Sequence, residues 1–398
     1  MGSMACAIPI RKLLAALALA SALVPASAAA VAFVPASDAV VLESLPEKGD
    51  PALAALRRMR RDLAGNPRDP ALARSVARRA LEAARTLGDP RFLGQAQAAL
   101  APWWTADDIP PAVLLLRATL KQSQHDFEGS LIDLDRLLQT DPAMAQARLT
   151  RATVLGVRGR YADARRDCAQ LRGRVAPIVI AGCDATPASL SGDASDAYES
   201  LVVEVARGSG NAELREWALT LAAEIAARRG NFGAAEQHFR AALALDPRDP
   251  YLKGAYADFL LDRNRPADVL PLLGGDTRND GLLLRLALAE QRLPEARRSF
   301  EAHRDDLAER FEAARRRGDS LHRREEARFR LAIENDAGAA LKLARDNWAV
   351  QREPADLRIL IEAARATGDR DALKIASDWV AATRLEDASI VALLQASP

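Results

Sequence analysis

The stretch from Glu216 to Pro247, EWALTLAAEIAARRGNFGAAEQHFRAALALDP, leaves this chain few choices of fold. Apolar residues recur at helical spacing on both sides of Arg229-Gly230-Asn231, the pattern of two amphipathic helices folded back on each other. Ala223, Ala235 and Ala242 stand where the two helices must come close, and Phe232 and Phe239 fill the space between them. Asp246-Pro247 ends the second helix, because proline cannot continue one.

The same unit recurs along the sequence. Ala112 to Pro142 carries Ala118, Phe127, Leu134 and Leu137 in register, with Asp141-Pro142 as its stop. Ala145 to Ala176 follows with Ala152, Gly159, Tyr161, Ala164 and Leu171, and Pro177 to about Glu204 gives a weaker unit turning at Gly192-Asp193. Gly208-Ser209-Gly210-Asn211 interrupts the pattern, and Tyr251 to Leu273 repeats it with Ala257, Pro266 and Val269. Further on, Leu282 to Gln291 with Pro294 to Arg317, Leu321 to Glu334 with Ala337 to Val350, and Ala355 to Thr367 with Asp371 to Thr383 make three looser pairs, the last of them closing the array. Near the start, Pro51 to Leu63, Ala71 to Leu87 and Arg91 to Leu100 read as degenerate helices. The tandem Trp103-Trp104 after them reads as a hydrophobic plug between repeats.

With Pro247 counted as repeat position 32, Ala223 falls at 8, Gly230 at 15, Phe232 at 17, Ala235 at 20, Phe239 at 24 and Ala242 at 27. In those slots the chain resembles a tetratricopeptide repeat (TPR) protein, built from 34-residue helix-turn-helix units. The resemblance implies an all-α solenoid, a superhelix of stacked hairpins in which each covers its neighbour's apolar face, giving one continuous core and a concave inner surface. It runs over 50–398, is best over 112–273, and is degenerate over 50–104 and 277–398.

The N-terminus carries a different signal. Arg11-Lys12, the apolar run from Leu13 to Val24, and Ala26-Ser27-Ala28 have the order of a bacterial secretory signal peptide spanning 1–28, with cleavage at about 28–30 or, as the alternative, retention as an uncleaved anchor. Residues 31–49 then read as a linker. The expectation is a periplasmic or secreted protein with no membrane insertion beyond that segment, since no later stretch is apolar enough to span a bilayer.

Chemistry is scarce. The 55 basic and 54 acidic residues nearly cancel, and the clusters Arg57-Arg58, Arg60-Arg61 and Arg315-Arg316-Arg317 are interleaved with acids, so solvated helix faces are expected there rather than a nucleic-acid surface. The segment Gly318 to Phe329, GDSLHRREEARF, reads as a charged, exposed helix, with a docking edge as the alternative. His125, His238, His303 and His322 are scattered without metal-ligand spacing and read as surface histidines. No phosphate loop, nucleophile elbow or Cys-x-x-Cys appears. The expectation is a scaffold with no catalysis of its own, no cofactor and no metal.

In TPR proteins the concave face binds peptides and partner proteins. Its lining positions, carried onto the best-matched units, are Leu115, Thr119, Gln122 and Ser123; then Gln146, Leu149, Thr153 and Val157; then Trp217, Thr220, Glu224 and Arg228; then Tyr251, Asp258, Leu261 and Asp262. Trp217 and Tyr251 are the aromatic candidates, as groove anchors or as contacts inside the array. The resemblance also sets Cys168 beside Cys183 on adjacent helices, either bridged, as export would favour, or as two buried free thiols. The resulting expectation is an exported scaffold or adaptor for a protein or peptide, or else an accessory subunit of a cell-envelope enzyme or transport complex.

Overall fold

The computed structural model describes residue 37 and residues 50–208, 210–319 and 321–395. The leader expected over 1–28 lies outside the described residues, as does all of the expected linker except Ser37.

Among the described residues there are 20 α-helices and no strand. They are α1 (Pro51–Gly65), α2 (Pro70–Leu87), α3 (Arg91–Ala99), α4 (Pro111–Ser123), α5 (Phe127–Thr140), α6 (Ala145–Val157), α7 (Tyr161–Ala169), α8 (Pro177–Ser189), α9 (Ala194–Ala206) and α10 (Ala212–Arg228). There follow α11 (Phe232–Leu245), α12 (Pro250–Asp262), α13 (Pro266–Leu273), α14 (Asp280–Glu290), α15 (Arg297–Arg316), α16 (Arg323–Ala332), α17 (Ala337–Val350), α18 (Pro354–Thr367), α19 (Arg370–Thr383) and α20 (Ala388–Gln395). From α2 onward they pair as hairpins, and each first helix also touches the first helix of the next hairpin. That two-way stacking makes an all-α solenoid.

Local chemistry starts and stops these helices. Asp69, Asp126, Asn211, Asn231, Asp249, Asn279, Asp336 and Asp369 each accept a hydrogen bond from a backbone N–H in the first turn ahead, satisfying donors that have no partner inside the helix. Inside hairpins the turn needs one left-handed residue. His125, Gly159, Gly192, Gly230 and Asn264 supply it, about every 34 residues. Asn211 starts α10 at Ala212, ahead of the Glu216 at which the apolar pattern begins.

Packing follows the small-residue register. Ala223, Ala235 and Ala242 are fully buried, and Phe239 is buried between its helix and the next hairpin, 5.1 Å from the Tyr256 ring. Phe232 departs from expectation: it is 38 % exposed, with the Arg263 guanidinium 4.0 Å over its ring. Its ring turns out to the rim under Arg263, whereas Phe127 and Tyr161, likewise the first residues of α5 and α7, are buried. The buried residues form four clusters rather than one core, and the half-buried Tyr198 and Val205 bridge the second and the fourth. Trp103 is buried in the first cluster with Trp104 half-buried against it. A further departure is α20, a helix beyond the expected last pair; Asp387 caps it and Ile390 buries it. Its eight residues are too few to show a period.

Candidate functional site

The successive first helices α10, α12, α14, α16 and α18 bring one row of polar side chains together. On α12, Tyr251, Asp258 and Asp262 fall at helical spacing on one face. The Tyr251 hydroxyl donates to Glu224 Oε1 of α10 at 2.9 Å. Asp258 is shared between two arginines from the next two first helices, Arg285 Nη2 and Arg328 Nη1, each at 2.6 Å. Asp262 takes Arg358 Nη1 from α18 at 2.6 Å, and the same guanidinium holds Glu362 at 2.8 Å. Arg324 lies among three carboxylates, Glu353 at 3.1 Å, Glu325 at 3.2 Å and the fully buried Asp356 at 3.4 Å.

The electrostatics divide this row in two. Around Asp258 the arginines win: burial opposes ionisation, yet Arg285 and Arg328 hold the carboxyl well below the usual range. Burial likewise works against the Glu325 carboxylate, but Arg324, Arg285 and His322 bring it down to about 2. Around Tyr251 the acids win. Burial raises Glu224 despite Arg228, and burial with Asp356 raises Glu353 despite Arg324. The charge of Glu224, then the protein crowded around the ring, then Glu353, drive the Tyr251 phenol well above its ordinary value. Tyr251 nevertheless keeps 62 % of its surface open to solvent. The row thus presents an accessible aromatic ring, fixed by a carboxylate, beside a lattice of arginine–carboxylate pairs.

Of the groove residues read from sequence, Glu224, Tyr251, Asp258 and Asp262 come together here. Arg228, one turn beyond Glu224, reaches Ser189 Oγ at 3.0 Å. Thr220 is buried and donates to Glu216, and Leu261 is buried. Trp217 packs its ring against Gly182, where an added Cβ would lie 2.3 Å from it. In the earlier repeats, Leu115 and Val157 pack half-buried against the first core cluster, Thr119 and Ser123 donate to their own helix, and Gln122 and Leu149 are half-buried. Gln146 and Thr153 are exposed.

Sequence reading missed Arg285, Arg324, Glu325, Arg328, Glu353 and Arg358, which supply most of the charge. It also took GDSLHRREEARF for a solvated helix. Instead Arg324, Glu325 and Arg328 pair as above, while Glu326, Ala327 and Phe329 are buried. A signal was present: Arg324, Glu325 and Arg328 lie at i, i+1 and i+4, one stripe of a first helix. The histidines are another correction, since none is fully exposed. His125 stacks on Phe127 at 5.4 Å, His238 Nε2 meets the Tyr198 hydroxyl at 2.9 Å, His303 Nδ1 meets Glu290 at 2.8 Å, and His322 Nε2 is buried.

Cys168 and Cys183 are joined by a disulfide between α7 and α8, with their Cα atoms 5.6 Å apart. Among the described residues no group of three or more His, Cys, Asp or Glu side chains is placed to hold a metal ion. No helix among them is long and apolar enough to cross a membrane.

No family model and no curated protein matches the chain. Among solved structures it is similar to a tetratricopeptide repeat protein from Parabacteroides merdae, at 13 % identity and a TM-score of 0.38, over 72 % of this chain and 98 % of that one. It is similar to the APC/C hetero-tetramer Cut9–Hcn1, at 13 % identity and 0.39, over 86 % and 79 %. A third is the human IFIT1 dimer with m7Gppp-AAAA, at 12 % identity and 0.40, over 86 % and 85 %.

Proposed function

We propose that this chain is an exported scaffold that holds a protein or peptide partner against the row of side chains around Tyr251, without catalysis of its own. The observation that carries the reading is Tyr251 itself, 62 % exposed and held by Glu224 at 2.9 Å. An aromatic ring fixed before binding loses little entropy on contact, and aromatic residues dominate interface energies. The arginine–carboxylate pairs from α12 to α18 suit the same role, because each can exchange an internal partner for a charged group on the ligand and so set specificity. A polypeptide offers that mixture of apolar and charged groups along one line. Export rests on the segment 1–28, and it places the partner in the periplasm or outside the cell.

The test is site-specific photo-crosslinking in the native envelope, with the photoreactive residue at 251 or, as control, at the exposed Ile132 of α5. A discrete adduct from 251, absent from 132 and lost on competition with untagged protein, supports the reading. Adducts that form equally from both positions, or from neither, sink it.

A further inference from the structure

We propose that the solenoid is closed on itself by a clasp between the ends of α6 and α8 and the last hairpins, and that this clasp opens as a unit. Its bonds are of one kind. The last four carbonyls of a helix lack intrahelical partners. At the end of α6 the Val157 carbonyl takes the backbone N–H of Arg352 at 2.7 Å. In return, the Arg158 guanidinium donates to the carbonyls of Ala349 and Val350 at the end of α17, at 3.1 and 2.5 Å. Arg384 Nη2 donates to the Ser191 carbonyl just past α8, at 3.0 Å. Two parts of the array far apart in sequence thus cap each other's helix ends.

An aromatic latch lies across these bonds. Trp379 of α19 stands edge-on to Tyr161 of α7 at 6.2 Å and to Trp348 at 5.4 Å, with the Arg352 guanidinium 4.9 Å over its ring. It sits where a Cβ on Gly159 would fall, 2.4 Å from that point, and Gly159 holds φ +73°. Glycine is required there twice over, for the turn and for the tryptophan. Tyr161 and Leu190 are accordingly buried with the C-terminal helices rather than with their own neighbours.

The contact is nevertheless thin. No helix of α6–α8 packs along a helix of α17–α19; turns and side-chain tips do the touching. A recess of ≈ 320 Å³, lined by Gly159, Tyr161, Ser191, Thr383 and Arg384 among others, remains between them. In a solenoid each repeat is stabilised by its sequence neighbours, and parting this seam leaves every one of those interfaces in place. Water can take over each freed carbonyl.

Closure covers part of the inner face. The carbonyl of Val157, a residue read as a groove position, takes the Arg352 N–H, and Leu321 and Val350 pack against the first core cluster. His125 at the end of α4 feels the charges of Arg324, Glu325 and Asp356. The closed array therefore covers one end of the inner face of α4 and α6 with its own C-terminal third, and leaves Gln146 and Thr153 exposed. Any bearing on partner access rests on the function proposed above; the clasp itself does not.

Hydrogen–deuterium exchange on the full chain tests it, because the Arg352 amide reports the seam directly. Trp379→Ala and, as a variant that removes no buried side chain, Arg158→Ala should each accelerate exchange at Arg352 at least tenfold. Amides within α10 and α11 should keep their wild-type rates, and the radius of gyration from X-ray scattering should rise. An Arg352 amide unchanged in both variants overturns the clasp. So does acceleration that spreads equally to α10 and α11 in both, since the seam would then open only with global unfolding.

Discussion

Arg117 and Asp133 form a two-pronged ion pair inside the first core cluster, Nε to Oδ2 at 2.8 Å and Nη2 to Oδ1 at 2.6 Å, with both residues buried. The remaining nitrogen, Nη1, donates to the carbonyls of Trp103 and Trp104 at 2.8 and 2.7 Å, and Lys121 stands 2.9 Å from the same aspartate. One guanidinium thus satisfies backbone groups that the irregular Trp103-Trp104 segment leaves without helix partners, and ties that segment to α4 and α5.

Removing one partner strands the other's charge in the core. Asp133→Ala is expected to cost about 3–5 kcal/mol, because Arg117 and Lys121 lose their counter-ion, whereas the triple replacement Arg117→Met, Lys121→Met and Asp133→Leu, which strands no charge, should cost much less. Equilibrium urea unfolding of the three proteins checks this. A triple variant as unstable as Asp133→Ala would mean that the carbonyl bonds to Trp103 and Trp104, not the ion pair, hold the segment.

The Cys168–Cys183 bridge closes a loop with a sequence separation of 15 residues. Chain-entropy reasoning assigns such a loop about 3 kcal/mol of stabilisation. Reductant should lower the melting temperature of the wild type to that of the Cys168→Ala, Cys183→Ala double variant, and leave the double variant where it is. A wild type that melts identically with and without reductant would contradict the bridge's contribution.

Ala223 and Ala235 have no accessible surface. Either one changed to Leu should cost about 1–3 kcal/mol through overpacking, while Ala212→Leu, at the exposed start of α10, should stay within about 0.5 kcal/mol of wild type. Thermal melts of the three variants distinguish a close helix crossing from a loose one: equal melting temperatures would mean that the small residues are not there for proximity.

The fold was legible because its determinants are local and repeated. Gly230, Ala223, Ala235 and Phe239 each sit where one hairpin demands that residue type, and Asp or Asn caps mark nearly half of the helix starts. The site was legible only where the register was. Glu224, Tyr251, Asp258 and Asp262 were found because their units keep the family's slots. Their partners were missed, as Arg285, Arg328 and Arg358 come from units whose slots have drifted, and from as far as 96 residues along the chain. Charged side chains carry no periodic signature of what they face, so HRREEARF looks the same whether it meets water or Asp258. The seam was invisible for the same reason: Val157 and Arg352 are bonded through backbone atoms, which no side-chain pattern encodes.

Glu216 gives the clearest dependence on pH. It is 9 % exposed on α10 and accepts from Thr220 Oγ1 at 3.0 Å. Burial raises its carboxyl from 4.5 to about 6, against the Thr220 bond and with help from Asp249 and Asp246. A carboxyl held higher in the folded chain than in the unfolded one binds its proton more tightly when folded. Its stabilising contribution is therefore complete below about pH 4.5 and is lost as pH rises through about 6. Glu216→Gln keeps an acceptor for Thr220 and never ionises, so above pH 6 it should be more stable than wild type by about 2 kcal/mol, with the gap closing towards pH 4. Comparing the two proteins by thermal unfolding at both ends of that range removes every other titrating group from the difference. A gap that does not vary with pH would show that Glu216 is already fully ionised in the fold, and that the desolvation inferred from its position on α10 is offset by water.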